Sequence, residues 1–151
     1  MKKIDFKKLI IAFSIVSGLV LVSMILTKNS MYLYEEIIKP DIAPHPIIFP
    51  IVWSILYTVI AITLYKFLDN KKIRNLILIN LLINIIWPIL FFRFELFLIS
   101  AFWLGLIIVT LIIELIQIYK ESKLFAYINS PYLIWLFFAL YLNTMIYLLN
   151  K

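Results

Sequence analysis

Asn80, Asn84, Trp87 and Phe91 fall at intervals of four, three and four residues within one apolar run. That spacing puts all four on one face of an α-helix. An amide inside a membrane-spanning segment needs a hydrogen-bond partner, so this face should point into protein rather than lipid. Two chemistries suit it. The amides can bond neighbouring helices, at ~0.6–2 kcal/mol each. With Trp87 and Phe91 they can also form the polar wall of a ligand pocket. Trp53 and Tyr57 lie one turn apart in a second apolar run, and Trp135 lies in a third. Such aromatics serve interfacial belts, helix packing or a ligand's flat face. His45, the single histidine, stands among Pro40, Pro44, Pro46 and Pro50. It can be a pH-sensitive group, a metal ligand or an ordinary loop residue.

Much other chemistry is excluded. The chain has no cysteine and one histidine. Disulfides, thiol catalysis and Cys- or His-rich metal sites are therefore absent, and no metal or other cofactor is expected. No Ser–His–Asp set, phosphate-cradling glycine loop or pair of acids in a helix core is present. Glu114 and Gln117 are three residues apart near the end of an apolar run, where Glu114 is expected to reach the membrane interface beside Lys120 or Lys123. Ala101 and Gly105 make a small-xxx-small pair suited to packing another helix.

The elements that must position these residues are read from hydropathy. Of 151 residues, 65% are hydrophobic, and the mean hydropathy is +1.07. An average soluble domain is ~45–50% apolar. The spacing predicts apolar helices at about 8–27, 47–68, 74–92, 95–119 and 130–149. Each approaches the ~20 residues needed to cross a bilayer. The fold expected is an all-α integral membrane protein, a five-transmembrane-helix bundle forming one domain over 1–151. A lid loop at 28–46 is the one long connection. The first apolar run exceeds the ~7–15 residues of a signal-peptide core, so it reads as a retained helix. Ser130 is expected to cap the fifth helix with Pro131 at its first position. Pro88 lies inside the third run and should kink it, because its missing N–H would have reached the carbonyl of Asn84.

The formal net charge is +6, yet charged residues are only 15% and cluster between the apolar runs. That pattern fits membrane topology rather than nucleic-acid binding. With the N-terminus inside, the cytoplasmic side carries Lys2, Lys3, Lys7, Lys8, Lys66, Lys71, Lys72, Arg74, Lys120 and Lys123, ten basic residues. The other side carries four, Lys28, Lys39, Arg93 and Lys151. The expectation is a multi-pass protein of the cytoplasmic membrane, N-terminus cytoplasmic and C-terminus outside.

A set of motifs then occurs in a telling order. Tyr34 and "KP" (39–40) precede the proline loop, followed by Phe49 and "VWSILY" (52–57). Later come "NIIWPILFF" (84–92) and "SPYLIWLFFALYLN" (130–143). From about residue 31 to 150 the chain resembles the TspO/MBR family, the tryptophan-rich sensory and translocator proteins, also called peripheral-type benzodiazepine receptors. The resemblance implies a five-helix bundle with a pocket open toward the first loop, often in a homodimer. It implies a ligand of porphyrin type or a similar planar amphipathic molecule, besides the lipid bilayer itself. The ligand-binding positions it implies are Trp53, Tyr57, Asn84, Trp87, Phe91, Trp135 and Ala139, under a lid that includes Pro40, Pro44 and His45. Light-dependent porphyrin degradation has been proposed in the family, and Trp53 and Trp135 match the tryptophans implicated. A small transporter of hydrophobic molecules is a further alternative. Ile42 stands where the family's lid has tryptophan, with His45 and Pro46 in place of proline and glycine. Trp103 stands at a position that is often aspartate.

Overall fold

A computed structural model describes residues 4–28 and 32–151. Its helices are α1 (Phe6–Leu26), α2 (Leu33–Glu36), α3 (Ile48–Phe67), α4 (Lys71–Pro88), α5 (Phe97–Glu121) and α6 (Lys123–Leu149), with a wider π-helical turn at Ile89–Arg93 following α4. Among the described residues five spans are long and apolar enough to cross a membrane, with α4 and its π turn forming the single span Lys71–Arg93. The chain is an all-α, multi-pass membrane protein. α5 and α6 pack against each other most extensively, α4 lies against α5, and α1 covers α3 and α4. The α3–α6 seam closes the ring of helices more loosely.

The helices turn their polar residues inward and much of their apolar surface outward. Thr63, Asn80, Asn84, Ser100, Asn129 and Asn143 are buried, whereas Phe102, Val109, Ile134 and Phe137 are exposed. This is the arrangement a hydrocarbon solvent favours, since lipid accepts methyl groups and not amides. Local chemistry sets the helix starts. The Asp5 carboxylate accepts from the Lys8 N–H at 3.2 Å, and the Asn70 side chain accepts from the Ile73 N–H at 3.2 Å.

Two sequence expectations need correction. α6 begins at Lys123, not at 130, so Ser130 and Pro131 lie inside the helix rather than at its start. The helix tolerates Pro131 because the carbonyl it would have bonded, that of Tyr127, accepts instead from the Ser130 hydroxyl at 2.7 Å. Ala101 and Gly105 do not act as a packing pair, because Ala101 is buried whereas Gly105 faces open space. A methyl group on Gly105 would meet nothing within 4 Å among the described residues. At Pro88 the chain leaves α-helical winding and continues as the π turn, the departure that a missing N–H favours.

Between α1 and α3 the described part of the loop is held at several points. Tyr34 is buried in α2, donates its hydroxyl to the Pro44 carbonyl at 3.0 Å, and meets the Phe49 ring edge-on at 5.0 Å. The Lys39 ammonium lies 4.9 Å from the Tyr34 ring centre and donates to the Tyr34 carbonyl. The Asn150 side chain, just past α6, pairs with both backbone groups of Ile38. It accepts from the N–H at 3.0 Å and donates to the carbonyl at 2.8 Å. Proline-rich backbone offers few N–H donors, so these side-chain ties stand in for secondary structure.

Replacing Asn150 by alanine should free Ile38. Hydrogen exchange across 32–47 should speed up while the melting temperature of the helix bundle changes little, because the lost bonds are peripheral, worth roughly 1 kcal/mol each. Unchanged exchange would remove the tie from the account. Burial also pushes the Tyr34 hydroxyl up to about 12, from an ordinary value near 10. The neutral phenol is thus favoured in the fold. Its contribution is complete below pH ~10 and is lost as pH rises through ~12. The loop should therefore loosen over that window, and the Tyr34→Phe protein should lack that component of the pH response.

Candidate functional site

Three features mark the bundle: a hydrogen-bonded polar chain near mid-span, a small internal cavity beside Tyr34 and an open lateral groove beside Pro44. The polar chain starts on α3, where the Tyr57 hydroxyl donates to Asn84 Oδ1 at 3.1 Å. Asn84 Nδ2 donates to the Tyr132 hydroxyl at 2.7 Å, and Tyr132 donates to Asn80 Oδ1 at 2.9 Å. Asn80 Nδ2 reaches the Thr110 hydroxyl at 2.8 Å and the Ile107 carbonyl at 3.0 Å. Every donor points the same way, from Tyr57 toward α5, so each bond polarises the next. α3, α4, α5 and α6 are all joined by it.

A second polar centre is built on Asn143. Its Oδ1 accepts from the Trp87 indole at 3.0 Å and the Ser100 hydroxyl at 2.9 Å, while its Nδ2 donates to the Phe97 carbonyl at 2.7 Å. Trp87 is thereby held against Phe91, with ring centres 5.4 Å apart. These rings, with Tyr34, Phe49, Ala139 and Leu142, surround an internal cavity of about 10 Å³. That is room for one water at most.

The groove is different. It runs along the α3–α6 seam, lined by Val52, Ile55, Leu56, Pro131, Ile134, Trp135 and Phe138, with Pro44 of the loop above it, and encloses about 640 Å³. Small-molecule pockets hold ~300–1,000 Å³, so the groove has the capacity that the internal cavity lacks. A row of aromatic rings separates the two spaces. Tyr34 meets Phe49, and Phe49 meets Trp135 with centres 6.0 Å apart.

The residues singled out in the sequence are divided among these features. Trp87, Phe91 and Ala139 line the closed cavity. Trp135 and Pro44 line the groove. Asn84 and Tyr57 are joined in the polar chain, and Trp53 stacks on Tyr57 at 5.3 Å and meets Tyr132 edge-on at 6.2 Å. The Trp53 and Trp135 rings thus have separate surroundings. Pro40 and His45 line neither space. The Pro40 carbonyl accepts from Ala43, and His45 Nδ1 lies 3.4 Å from the Ile47 N–H. Of the two chemistries open to the asparagines, bonding between helices describes Asn80 and Asn84.

Glu114 corrects another expectation. It is buried rather than at the interface, 4% exposed. The cause is its register, because Ser100, Leu104, Ile107, Leu111, Glu114 and Ile118 form a 4-3-4-3-4 stripe that α5 turns inward. The same arithmetic could have found Asn129, Tyr132 and Asn143, which sequence reasoning missed. Asn129, Tyr132, Leu136, Ala139, Asn143 and Ile146 form the buried stripe of α6. Asn129 closes the lower seam by donating to the Thr63 hydroxyl at 2.8 Å. Trp103, where the resemblance leads one to expect an acid, donates its indole N–H to the Ile83 carbonyl at 2.8 Å.

Comparison with known proteins agrees with this architecture. The model of the TspO/MBR family matches residues 10–149. The chain is 32% identical over 122 residues to the tryptophan-rich protein TspO of Archaeoglobus fulgidus, covering 78% of this chain and 79% of that one. It is 30% identical over 152 aligned positions to the Bacillus cereus protein of the same name, covering 95% and 97%. The Chlorobaculum tepidum protein of that name is 29% identical over 130 residues, with 82% of each chain covered.

Tyr132 is the middle link of the polar chain and tests its weight. Tyr132→Phe should leave Asn84 Nδ2 and Asn80 Oδ1 unpaired in an apolar interior, costing about 1–3 kcal/mol. Thr144→Ala removes only an exposed hydroxyl bonded within its own helix, so it should change stability little. Thermal unfolding of the two variants in detergent makes the comparison. Equal melting temperatures would show that the chain carries no such weight.

Proposed function

The chain belongs to the TspO/MBR family, and from that premise we propose that it is a membrane sensory protein binding a planar, largely apolar ligand of porphyrin type. The observation that carries this reading is the groove between α3 and α6. It has the volume of a small-molecule site, an almost wholly apolar lining, and the Trp135 and Phe138 rings on its wall. A flat conjugated ligand gains dispersion and quadrupole contacts from such rings without needing many polar partners. Pro44 places the proline loop at the mouth, and the ties at Tyr34 and Ile38 hold that loop in place before any ligand arrives. Pre-ordering of this kind lowers the entropy lost on binding. The internal cavity beyond Phe49 is too small to take such a ligand, which leaves the groove as the site.

The same proposal sets the protein in the cytoplasmic membrane with its N-terminus inside, supported by the ten-to-four distribution of Lys and Arg. The loop and groove mouth then face outward. Association as a homodimer rests on family membership alone.

The test is titration with protoporphyrin IX in the dark, read by the shift of the porphyrin's own absorption band. Saturable binding is expected. Trp135→Phe should weaken it roughly tenfold, equivalent to about 1.4 kcal/mol. Trp53→Phe, whose ring lies outside the groove, should weaken it less than about threefold on the same scale. Absence of saturable binding by a protein shown to be folded would defeat the porphyrin reading. Equal effects of the two substitutions would defeat the groove as its site.

A further inference from the structure

The end of the bundle away from the proline loop is strongly basic. The starts of α1, α4 and α6 meet the ends of α3 and α5 there. The Asp5 N–H donates to the Tyr65 hydroxyl at 3.2 Å, and Lys8 pairs with Asp69. Among the described residues this end carries eight Lys and Arg against three exposed acids, Asp5, Asp69 and Glu121. The loop end carries four of each sign. Much of the basic charge is spread around the bundle, but one corner concentrates it.

That corner is where α3 reaches the start of α6. The Lys66 ammonium of α3 lies 6.0 Å from the ring centre of Phe125 on α6. The Lys123 ammonium, at the start of α6, lies 5.7 Å from the ring centre of Tyr119 on α5. The rings are braced in turn. Phe125 meets Phe67 edge-on at 5.6 Å, and Tyr119 meets Tyr127 edge-on at 6.2 Å. Lys120 follows Tyr119 directly. All three lysines are exposed, and the one ion pair among the described residues, Lys8 with Asp69, involves none of them. A ring positions an ammonium without cancelling its charge, whereas a carboxylate would do both. Depth matters as well. Lys66 and Lys120 are the last residues but one of their spans, and Lys123 is the first of its own. Residues at the ends of membrane spans lie level with lipid headgroups.

We propose that Lys66, Lys120 and Lys123 form a binding site for the phosphate of an anionic phospholipid headgroup. Basic pockets between membrane helices suit such headgroups, because several ammonium donors converge on one phosphate at the depth where the bilayer places it. A zwitterionic lipid fits less well, since its own cation would join three that are already uncancelled. A soluble polyanion fits less well too, because these ammonium groups lie at the headgroup level rather than beyond it. The site is at the opposite end of the bundle from Pro44 and shares no residue with the groove, so it does not rest on the porphyrin reading.

The experiment is native mass spectrometry of the full chain extracted from bilayers of phosphatidylglycerol and phosphatidylcholine, in equal amounts and with identical acyl chains. One lysine near an anionic surface is worth roughly fivefold in binding. Wild type should therefore retain phosphatidylglycerol over phosphatidylcholine by about tenfold or more, and added salt should reduce that preference. Lys66→Gln with Lys123→Gln should bring the ratio near one while keeping the helical circular dichroism. Lys66→Arg with Lys123→Arg should preserve the preference. Lys71→Gln with Lys72→Gln removes as much charge from the same end, outside the corner, and should keep most of it. Equal retention of the two lipids by wild type would overturn the proposal. Equal losses in the two glutamine pairs would also overturn it, by assigning the preference to the charge of the whole end. Binding of an RNA oligonucleotide in phosphatidylcholine nanodiscs, without preference between the lipids, would give the corner to a soluble polyanion instead.

Discussion

In a hydrocarbon solvent a polar side chain must find its partner inside the protein, and this bundle is organised around that constraint. The chain of bonds from Tyr57 through Asn84, Tyr132 and Asn80 to Thr110 joins four helices through residues that lipid would not accept. A single bond of this kind contributes modestly in a membrane. Arranged in series, the bonds do something that apolar packing cannot. Leu and Ile slide past one another at little cost, whereas an amide that donates to one helix and accepts from another fixes the register of both.

The same constraint governs how the chain accommodates proline. Pro131 deprives the Tyr127 carbonyl of its helical partner, and the neighbouring Ser130 hydroxyl replaces it. Past Pro88 the backbone widens into a π turn, and that turn carries Phe91 and Phe92 toward the internal cavity. In the loop between α1 and α3, prolines remove donors where water and side chains can compensate, and Tyr34, Lys39 and Asn150 provide the ties. Rigid irregular backbone at the end of the bundle is thus consistent with buried regular backbone in the middle.

Asn143 and Trp135 show how two polar aromatic sites in one helix come to differ. Asn143 saturates the Trp87 indole, and the result is a closed, fully bonded interior. Trp135, two turns earlier on α6, faces the α3–α6 seam, which packs far less extensively than α5 against α6, and among the described residues its indole N–H finds no acceptor. The first arrangement stabilises the bundle. The second leaves an indole N–H without a partner at the edge of an apolar groove, a cost that the rest of the bundle carries.

A good part of this was legible in the sequence. Five apolar runs of near-bilayer length determine a helical membrane bundle, because no other fold satisfies so much backbone in lipid except a closed barrel. The 4-3-4 interval from Asn80 to Phe91 determined one inward face, and the same interval around Glu114 would have placed that acid inside had it been followed along α5. Periodicity says which face turns inward, however, and not which neighbour meets it. Only the tertiary structure decided that Asn84 spends both ends of its amide on other helices, that Trp87 and Trp135 line different spaces, and that Trp53 lines neither. It also decided that α6 runs unbroken through Pro131, since the compensating hydroxyl works only in helical geometry. The physical reason is common to all of these. Hydropathy is a property of each segment against its solvent, whereas a pocket is the space left over when several segments have chosen their partners.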